Sequence, residues 1–89
     1  MNDPVFDYSK LRGKIKEVFG TQDRFADAIG LGRVSVSQRL NNQLEFSQQE
    51  MFKSAEVLGF SRAEIPAYFF TRVVQFSELE ENQPQETDA

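Results

Sequence analysis

The sequence predicts an all-α protein, a compact bundle of about five short helices, and three observations favour this fold class. Apolar residues recur at the i, i+3 and i+4 spacing of amphipathic helices. Residues that cap helix N-termini precede these stripes, and glycine or asparagine follows most of them. The chain of 89 residues has the length of one domain with a small core, to which nine phenylalanines can contribute large buried areas.

Two apolar stripes that end at glycines predict the first two helices. Asp7 or Ser9 is expected to cap the first helix. Thr21 is the expected N-cap of a second helix over residues 22–29, which Gly30 ends. The apolar face of the first helix consists of Leu11, Ile15, Val18 and Phe19.

A third helix is predicted over residues 33–41, with Val36 and Leu40 one turn apart on its inner face. Asn41 and Asn42 suit the exit of this helix, because asparagine tolerates the left-handed backbone conformation.

Two capping boxes predict the remaining helical elements. Ser47 and Glu50 form the first box and open a fourth helix that runs to about Leu58. Residues 61–64 repeat the pattern and open a short turn. Pro66 cannot sit comfortably inside a helix, so it is expected to open a second short turn.

The C-terminal part of the chain changes character after residue 70. Residues 71–76 are rich in β-branched and aromatic side chains and are expected to form a short extended segment. Residues 77–89 hold five acidic residues and no basic one, which predicts a disordered acidic tail. We therefore expect a folded domain over residues 1–76 and a tail over residues 77–89.

The composition excludes several kinds of chemistry. The chain has no Cys and no His, so it lacks thiol nucleophiles, histidine bases and the commonest zinc ligands. It has no apolar run long enough for a signal peptide or a membrane span. We expect no enzyme activity, no metal, no cofactor, no small-molecule substrate, no membrane contact and a cytoplasmic location.

The net charge of −4 is unevenly distributed along the chain. Residues 9–41 hold seven basic and three acidic residues, which gives this segment a net charge of +4. A local basic face governs attraction to phosphates more than the total charge does. The alternative is that these side chains are ordinary solvated helix faces.

Residues 22–41 combine a short helix, a tight glycine-containing turn and a second short helix, which is the pattern of a DNA-binding helix-turn-helix. The second helix of such a motif presents its N-terminal part to the major groove, where Arg, Gln and Val can contact guanine, adenine and the thymine methyl group. Four side chains cluster on one face near the start of this helix and are the predicted base-reading residues: Arg33, Val34, Ser37 and Gln38.

Three segments of the sequence are similar to segments of a known protein family. They read YSKLRGKI, SQRLNN and EIPAYFF and lie at residues 8–15, 37–42 and 64–70. Over about residues 9–65 the chain resembles the phage Cro and lambda-type repressor proteins, especially short Cro-like proteins of temperate phages of Gram-positive bacteria. The resemblance implies a compact helical protein in a bacterial host cell that binds double-stranded operator DNA, usually as a dimer.

The resemblance also implies that Gln22 and Asn41 contact the DNA backbone. We add three further candidates for backbone contacts, namely Ser35, Asn42 and Lys10. The chain departs from the family at Arg39, where an aliphatic residue is common, and Leu40 is expected to take over the inward position.

The leading hypothesis is a sequence-specific transcriptional regulator of a phage or prophage. An antitoxin-type regulator and a protein-interaction module that uses the same fold without DNA are the alternatives. Six large apolar residues lie within residues 68–76, more than a short terminal segment needs. They predict a weak homodimer, because exposed apolar patches often mark partner sites.

Overall fold

A computed structural model describes residues 6–73 and confirms the all-α fold class. A single-turn 3-10 helix, Arg62–Glu64, leads directly into the last helix. Within the described residues the only β-type pairing is an isolated bridge between Phe6 and Arg72. The five helices are α1 (Ser9–Phe19), α2 (Gln22–Ile29), α3 (Arg33–Leu40), α4 (Gln48–Leu58) and α5 (Ile65–Phe69).

Local capping chemistry sets most helix boundaries as the sequence predicts. The Thr21 side chain accepts a hydrogen bond from the Arg24 N–H, which fixes the start of α2. Gly30 ends α2 in the left-handed conformation, with φ of 78°, which glycine adopts without a steric penalty. Ser47 and Glu50 form the predicted capping box at the start of α4.

The two ends of α1 differ in detail from the prediction. Tyr8 occupies the N-cap position, and the Asp7 carboxylate accepts a hydrogen bond of 2.8 Å from the Ser9 N–H. The Ser9 hydroxyl donates to the same carboxylate, and the bonds from this hydroxyl and from the Ser9 N–H lower the pKa of Asp7 below its ordinary value. Val18, which the spacing places on the apolar face of α1, is 45% exposed. Phe19 covers α2 instead, with its ring 6.0 Å from that of Phe25.

An aromatic cluster closes the bundle where the N-terminal segment, the α3–α4 loop and α5 meet. Tyr8 packs edge-to-face on Phe46 and on Phe69, with ring centroids 5.6 Å and 6.5 Å apart. Phe46 and Phe69 are themselves 4.9 Å apart. All three side chains are buried, and pairs of this geometry add to the free energy gained from burial alone. Three segments distant in sequence are thereby joined in one core.

The chain ends of the described part run side by side and are fastened to the end of α3. The Asp7 N–H donates to the Thr71 carbonyl at 2.6 Å, next to the Phe6–Arg72 bridge. The Asn42 side chain accepts from the Phe6 N–H at 3.0 Å and donates to the Phe6 carbonyl at 2.9 Å. Asn42 adopts the left-handed conformation expected of this helix exit, with φ of 63°.

The predicted extended segment over residues 71–76 is only partly covered, because residues 74–76 and the predicted acidic tail, residues 77–89, lie outside the described residues. Tyr68 and Phe69 are buried in the protein's own core. Phe70 and Val73 are 47% and 41% exposed. Among the described residues of this segment, Phe70 and Val73 are therefore the large apolar side chains open to solvent. None of the helices in residues 6–73 combines the length and the apolar character that crossing a membrane requires.

Adjacent phenylalanines of α5 and its C-cap provide a test of this packing. Phe69→Ala should lower the free energy of unfolding by about 3–5 kcal/mol, because Phe69 is 1% exposed and a cavity would remain. Phe70→Ala should cost about 1 kcal/mol or less, since this ring is half exposed. Urea denaturation of both variants measures the difference, and equal losses would contradict the packing described.

Candidate functional site

The second and third helices form a rigid pair joined by a three-residue turn, residues 30–32. Phe25 and Ala26 of α2 and Val36 of α3 are fully buried where the helices pack together. The Leu31 N–H donates to the Ala26 carbonyl at 2.9 Å and closes the turn. Such packing fixes which side of α3 faces the core and which faces solvent.

A stripe of four side chains lies along the solvent side of α3, at the i, i+3, i+4 and i+7 positions of one helix face. Val34 is 70% exposed, whereas Ser37 and Gln38 are half-buried. The Asn41 side chain donates to the Ser37 hydroxyl at 3.4 Å. The structure thus brings three of the four predicted base-reading residues together with one predicted backbone contact. We call this surface the α3 stripe, and it consists of Val34, Ser37, Gln38 and Asn41.

Arg33, the fourth predicted base-reading residue, lies at the N-terminal end of α3 and turns towards α2. Its Nη1 donates to the Asp23 carboxylate at 2.9 Å. This hydrogen bond, together with the charges of Asp23 and Asp27, raises the pKa of Arg33 above its ordinary value. Arg33 and the two aspartates together give this end of the stripe both signs of charge.

The opposite end of the stripe is positively charged. Arg12 of α1 donates through Nη2 to the Leu40 carbonyl at 3.1 Å and to the Asn41 side chain at 3.0 Å. Arg12 also lines, with Lys16 and Gln22, a shallow depression of about 190 Å³ beside the N-terminus of α2. Neither Arg12 nor Lys16 pairs with a carboxylate among residues 6–73. Neither residue is among the contacts predicted from the sequence, although their i, i+4 spacing places them on one flank of α1.

Lys10 lies on the other flank of α1 and is not brought together with Gln22 and Asn41. Successive helix residues are about 100° apart, so Lys10 and Arg12 point about 160° away from each other. The Lys10 ammonium stands 4.8 Å above the ring of Tyr68, on the side of α5. Lys14, on the same flank, forms an ion pair of 3.6 Å with Glu17.

Ser35 and Asn42, two further predicted backbone contacts, lie off the α3 stripe. The Ser35 carbonyl accepts a hydrogen bond of 3.0 Å from Arg39, whose Nε pairs with Glu50 at 3.0 Å. The side chains of Arg39 and Glu50 are each only 17% exposed, so this pair fastens α3 to α4. Leu40 is buried and takes the inward position, as expected. The amide of Asn42 is engaged by Phe6.

The described residues contain no group of three or more acidic side chains placed to hold a metal ion. The α3 stripe offers hydrogen-bonding amides and a hydroxyl, together with one large exposed apolar side chain, and charges lie at both of its ends.

Arg12 should contribute to stability as well as to the charge of the site. Arg12→Ala removes two hydrogen bonds to the end of α3 and should lower the free energy of unfolding by about 1 kcal/mol. Lys14→Ala, the matched control on the other flank of α1, should cost about 0.3 kcal/mol, because it loses only a partly exposed ion pair within its own helix. The two values come from urea denaturation, and an equal effect would show that Arg12 does not hold α3.

Comparison with known proteins places this geometry in a family. The solution structure of the modulator of repression (MOR) of the temperate bacteriophage TP901-1 from Lactococcus lactis is similar, with a TM-score of 0.66 and 45% sequence identity. The match covers 73% of this chain and 88% of that one. No curated protein sequence matches the chain. A family model described as "Protein of unknown function (DUF739)" matches residues 4–72, and the chain therefore belongs to the DUF739 family.

Proposed function

We propose that the protein is a regulator of phage repression that binds double-stranded operator DNA through the α3 stripe. The observation that carries the proposal is the position of this stripe, exposed on a rigid helix pair and bordered by Arg12, Lys16 and Gln22. The name of the 45% identical relative, a modulator of repression of a temperate bacteriophage, supports the regulatory part.

The side chains of the stripe match the chemistry of the major groove. Gln38 can pair with adenine, and Val34 offers its exposed methyl groups to a thymine methyl. The small side chain of Ser37 lets the helix approach the base pairs closely. Arg33 can chelate guanine if its guanidinium exchanges the Asp23 carboxylate for the base, and both side chains are exposed enough for that exchange.

Phosphate contacts would come from the positive end of the site. Arg12 and Lys16 supply charge, and Gln22 lies in the first turn of α2, where the helix dipole favours anions. The same end of the stripe contributes the amide of Asn41, which contacts Arg12. Ser35, Asn42 and Lys10 have other contacts, and we leave them out of the proposed interface. Residues 6–73 hold ten basic and eight acidic residues, so this part of the chain is positive although the whole chain is not.

A salt titration with a matched pair of lysine variants tests the proposal. The duplex is first selected from a random pool. Lys16→Gln should lower the slope of log affinity against log salt by about 0.9, the value for one lost phosphate contact. Lys10→Gln removes the same charge from the other flank of α1 and should leave the slope unchanged. Failure to select any duplex, or equal slopes in both variants, would contradict the proposed interface.

Binding of a regulatory protein through the same face is a second candidate. Asp23 and Asp27 beside Arg33 put negative charge at one end of the site, where a DNA duplex offers only negative charge in return. Val34, 70% exposed, is the kind of apolar side chain that protein partners cover. Modulation of repression can proceed through a repressor protein as well as through its operator.

Asp23→Asn separates the two candidates because it removes one negative charge while keeping the shape of the side chain. If DNA is the ligand, the variant should bind the selected duplex several-fold more tightly, since repulsion of phosphates falls. If a phage repressor is the ligand and pairs a basic residue with Asp23, the variant should bind it several-fold more weakly. Fluorescence anisotropy with the labelled duplex and with the labelled repressor measures both. A weaker complex with DNA would contradict the DNA proposal.

Two further hypotheses from the sequence concern a homodimer and an antitoxin-type regulator. A weak homodimer through residues 68–76 stays a proposal, and of the described residues in this range Phe70 and Val73 offer apolar surface for it. Leu44, 46% exposed, lines the same cavity as Phe70 and adds to that surface. An antitoxin-type regulator gains no support from any contact among residues 6–73.

A further inference from the structure

The first helix carries a concentration of positive charge that the fold leaves open to solvent. Glu17 is its one acidic residue, against four basic side chains, so α1 has a net charge of +3. Three of the four cations are exposed, and the fourth is half-buried. Arg12 makes both of its hydrogen bonds through Nη2, so Nε and Nη1 remain as donors for a ligand. The four cations of α1 are Lys10, Arg12, Lys14 and Lys16.

The chain itself supplies an anionic partner close to this helix. Residues 77–89 hold five acidic residues and no basic one. The described part ends at residue 73, directly after Arg72 bridges Phe6, and α1 begins three residues after Phe6. The Thr71 carbonyl accepts the Asp7 N–H at 2.6 Å, so the C-terminal segment leaves the domain beside the start of α1.

Distance does not prevent contact between the acidic segment and the helix. Residues 74–76 can span about 10 Å when extended. Arg12 and Lys16 lie about 5 Å and 10 Å along α1 from Ser9, at 1.5 Å per residue. Tethering at this range corresponds to an effective concentration in the millimolar range, which compensates for the modest strength of exposed charge pairs.

We propose that the acidic segment, residues 77–89, binds the exposed face of α1 in the same molecule and competes with DNA for Arg12 and Lys16. The docking rests on the charges and the chain path described here. Its regulatory consequence rests on the proposed DNA-binding function. The family model matches residues 4–72, so the acidic segment lies outside the matched part of the chain.

Three forms of the chain isolate the contribution of charge. The first is the full chain, and the second is truncated after Phe76. The third keeps its full length but replaces every carboxylate of the segment by the matching amide. Its substitutions are Glu78→Gln, Glu80→Gln, Glu81→Gln, Glu86→Gln and Asp88→Asn.

Amide resonances report the docking without any DNA. In low salt, the Arg12 and Lys16 amide signals should move between the full chain and both altered forms, and they should move alike in the two. Lys53 on α4 serves as the internal control and should not move. The differences should fade at about 300 mM salt, because screening shortens the reach of exposed charges. Unchanged α1 signals, or differences that depend on protein concentration and so come from a second copy, would overturn the proposal.

Duplex affinity reports the competition. If the segment is docked for about 80% of the time, truncation and amide replacement should each tighten binding about five-fold at low salt. Little gain should remain at about 300 mM salt. Equal affinity of all three forms would overturn the competition while leaving DNA binding intact. Movement of the α1 signals in chains that bind no duplex would instead support the docking and contradict the proposed function.

Discussion

The packing of α2 against α3 is the constraint on which the candidate site depends. Ala26 and Val36 are fully buried in this contact, and a larger side chain at Ala26 would force the helices apart. Because the inward side of α3 is fixed by Val36 and Leu40, its outward side is fixed too, and Val34 and Gln38 face solvent. A recognition surface made of half-exposed polar side chains gains precision from this arrangement, since each side chain projects from a rigid element.

Several charged residues of the site have structural partners, and this limits how they can serve a ligand. Arg39 pairs with Glu50, which also accepts the hydrogen bond of the α4 capping box. The charge of Arg39 is therefore neutralised within the fold. Arg12 holds the end of α3 through one nitrogen and keeps the rest of its guanidinium for solvent. Lys16 makes no ion pair with the described residues and is the freer of the two cations. Basic residues that are equivalent in the sequence therefore differ in how much of their charge is available to a ligand.

The helices could be predicted from the sequence because capping residues act on their own helix ends. The candidate site could be predicted only in part, because its geometry also depends on contacts between residues far apart in the sequence. Thr21, Ser47 and Gly30 act within their own helix turns, and the boundaries they imply agree with the structure. Val34, Ser37 and Gln38 could be grouped because they share one helix face. The ion pair between Arg33 and Asp23 spans ten positions and could not be read from spacing.

Contacts between residues still further apart in the sequence explain the remaining differences between the predicted and the observed site. The hydrogen bonds from Arg12 to the Leu40 carbonyl and to Asn41 span 28 and 29 positions, and they show which flank of α1 borders the stripe. The charge of Lys10 predicts a contact with DNA, but charge alone does not tell which flank of α1 a residue occupies. Val18 follows the apolar spacing of α1 and yet is exposed, because Phe19 fills the contact with α2 that the last turn provides.

The asymmetry of charge along the α3 stripe favours one orientation of any ligand bound there. Arg12, with Lys16 one turn further along α1, puts positive charge beside the C-terminal end of α3, whereas Asp23 and Asp27 put negative charge beside Arg33 at its N-terminal end. A duplex would therefore approach with its backbone over the first end and base edges beside Val34. A protein partner would place acidic groups over the first end and basic groups over the second. Under the proposed function, the two classes of ligand differ in the sign of the charge that each would bring to Asp23.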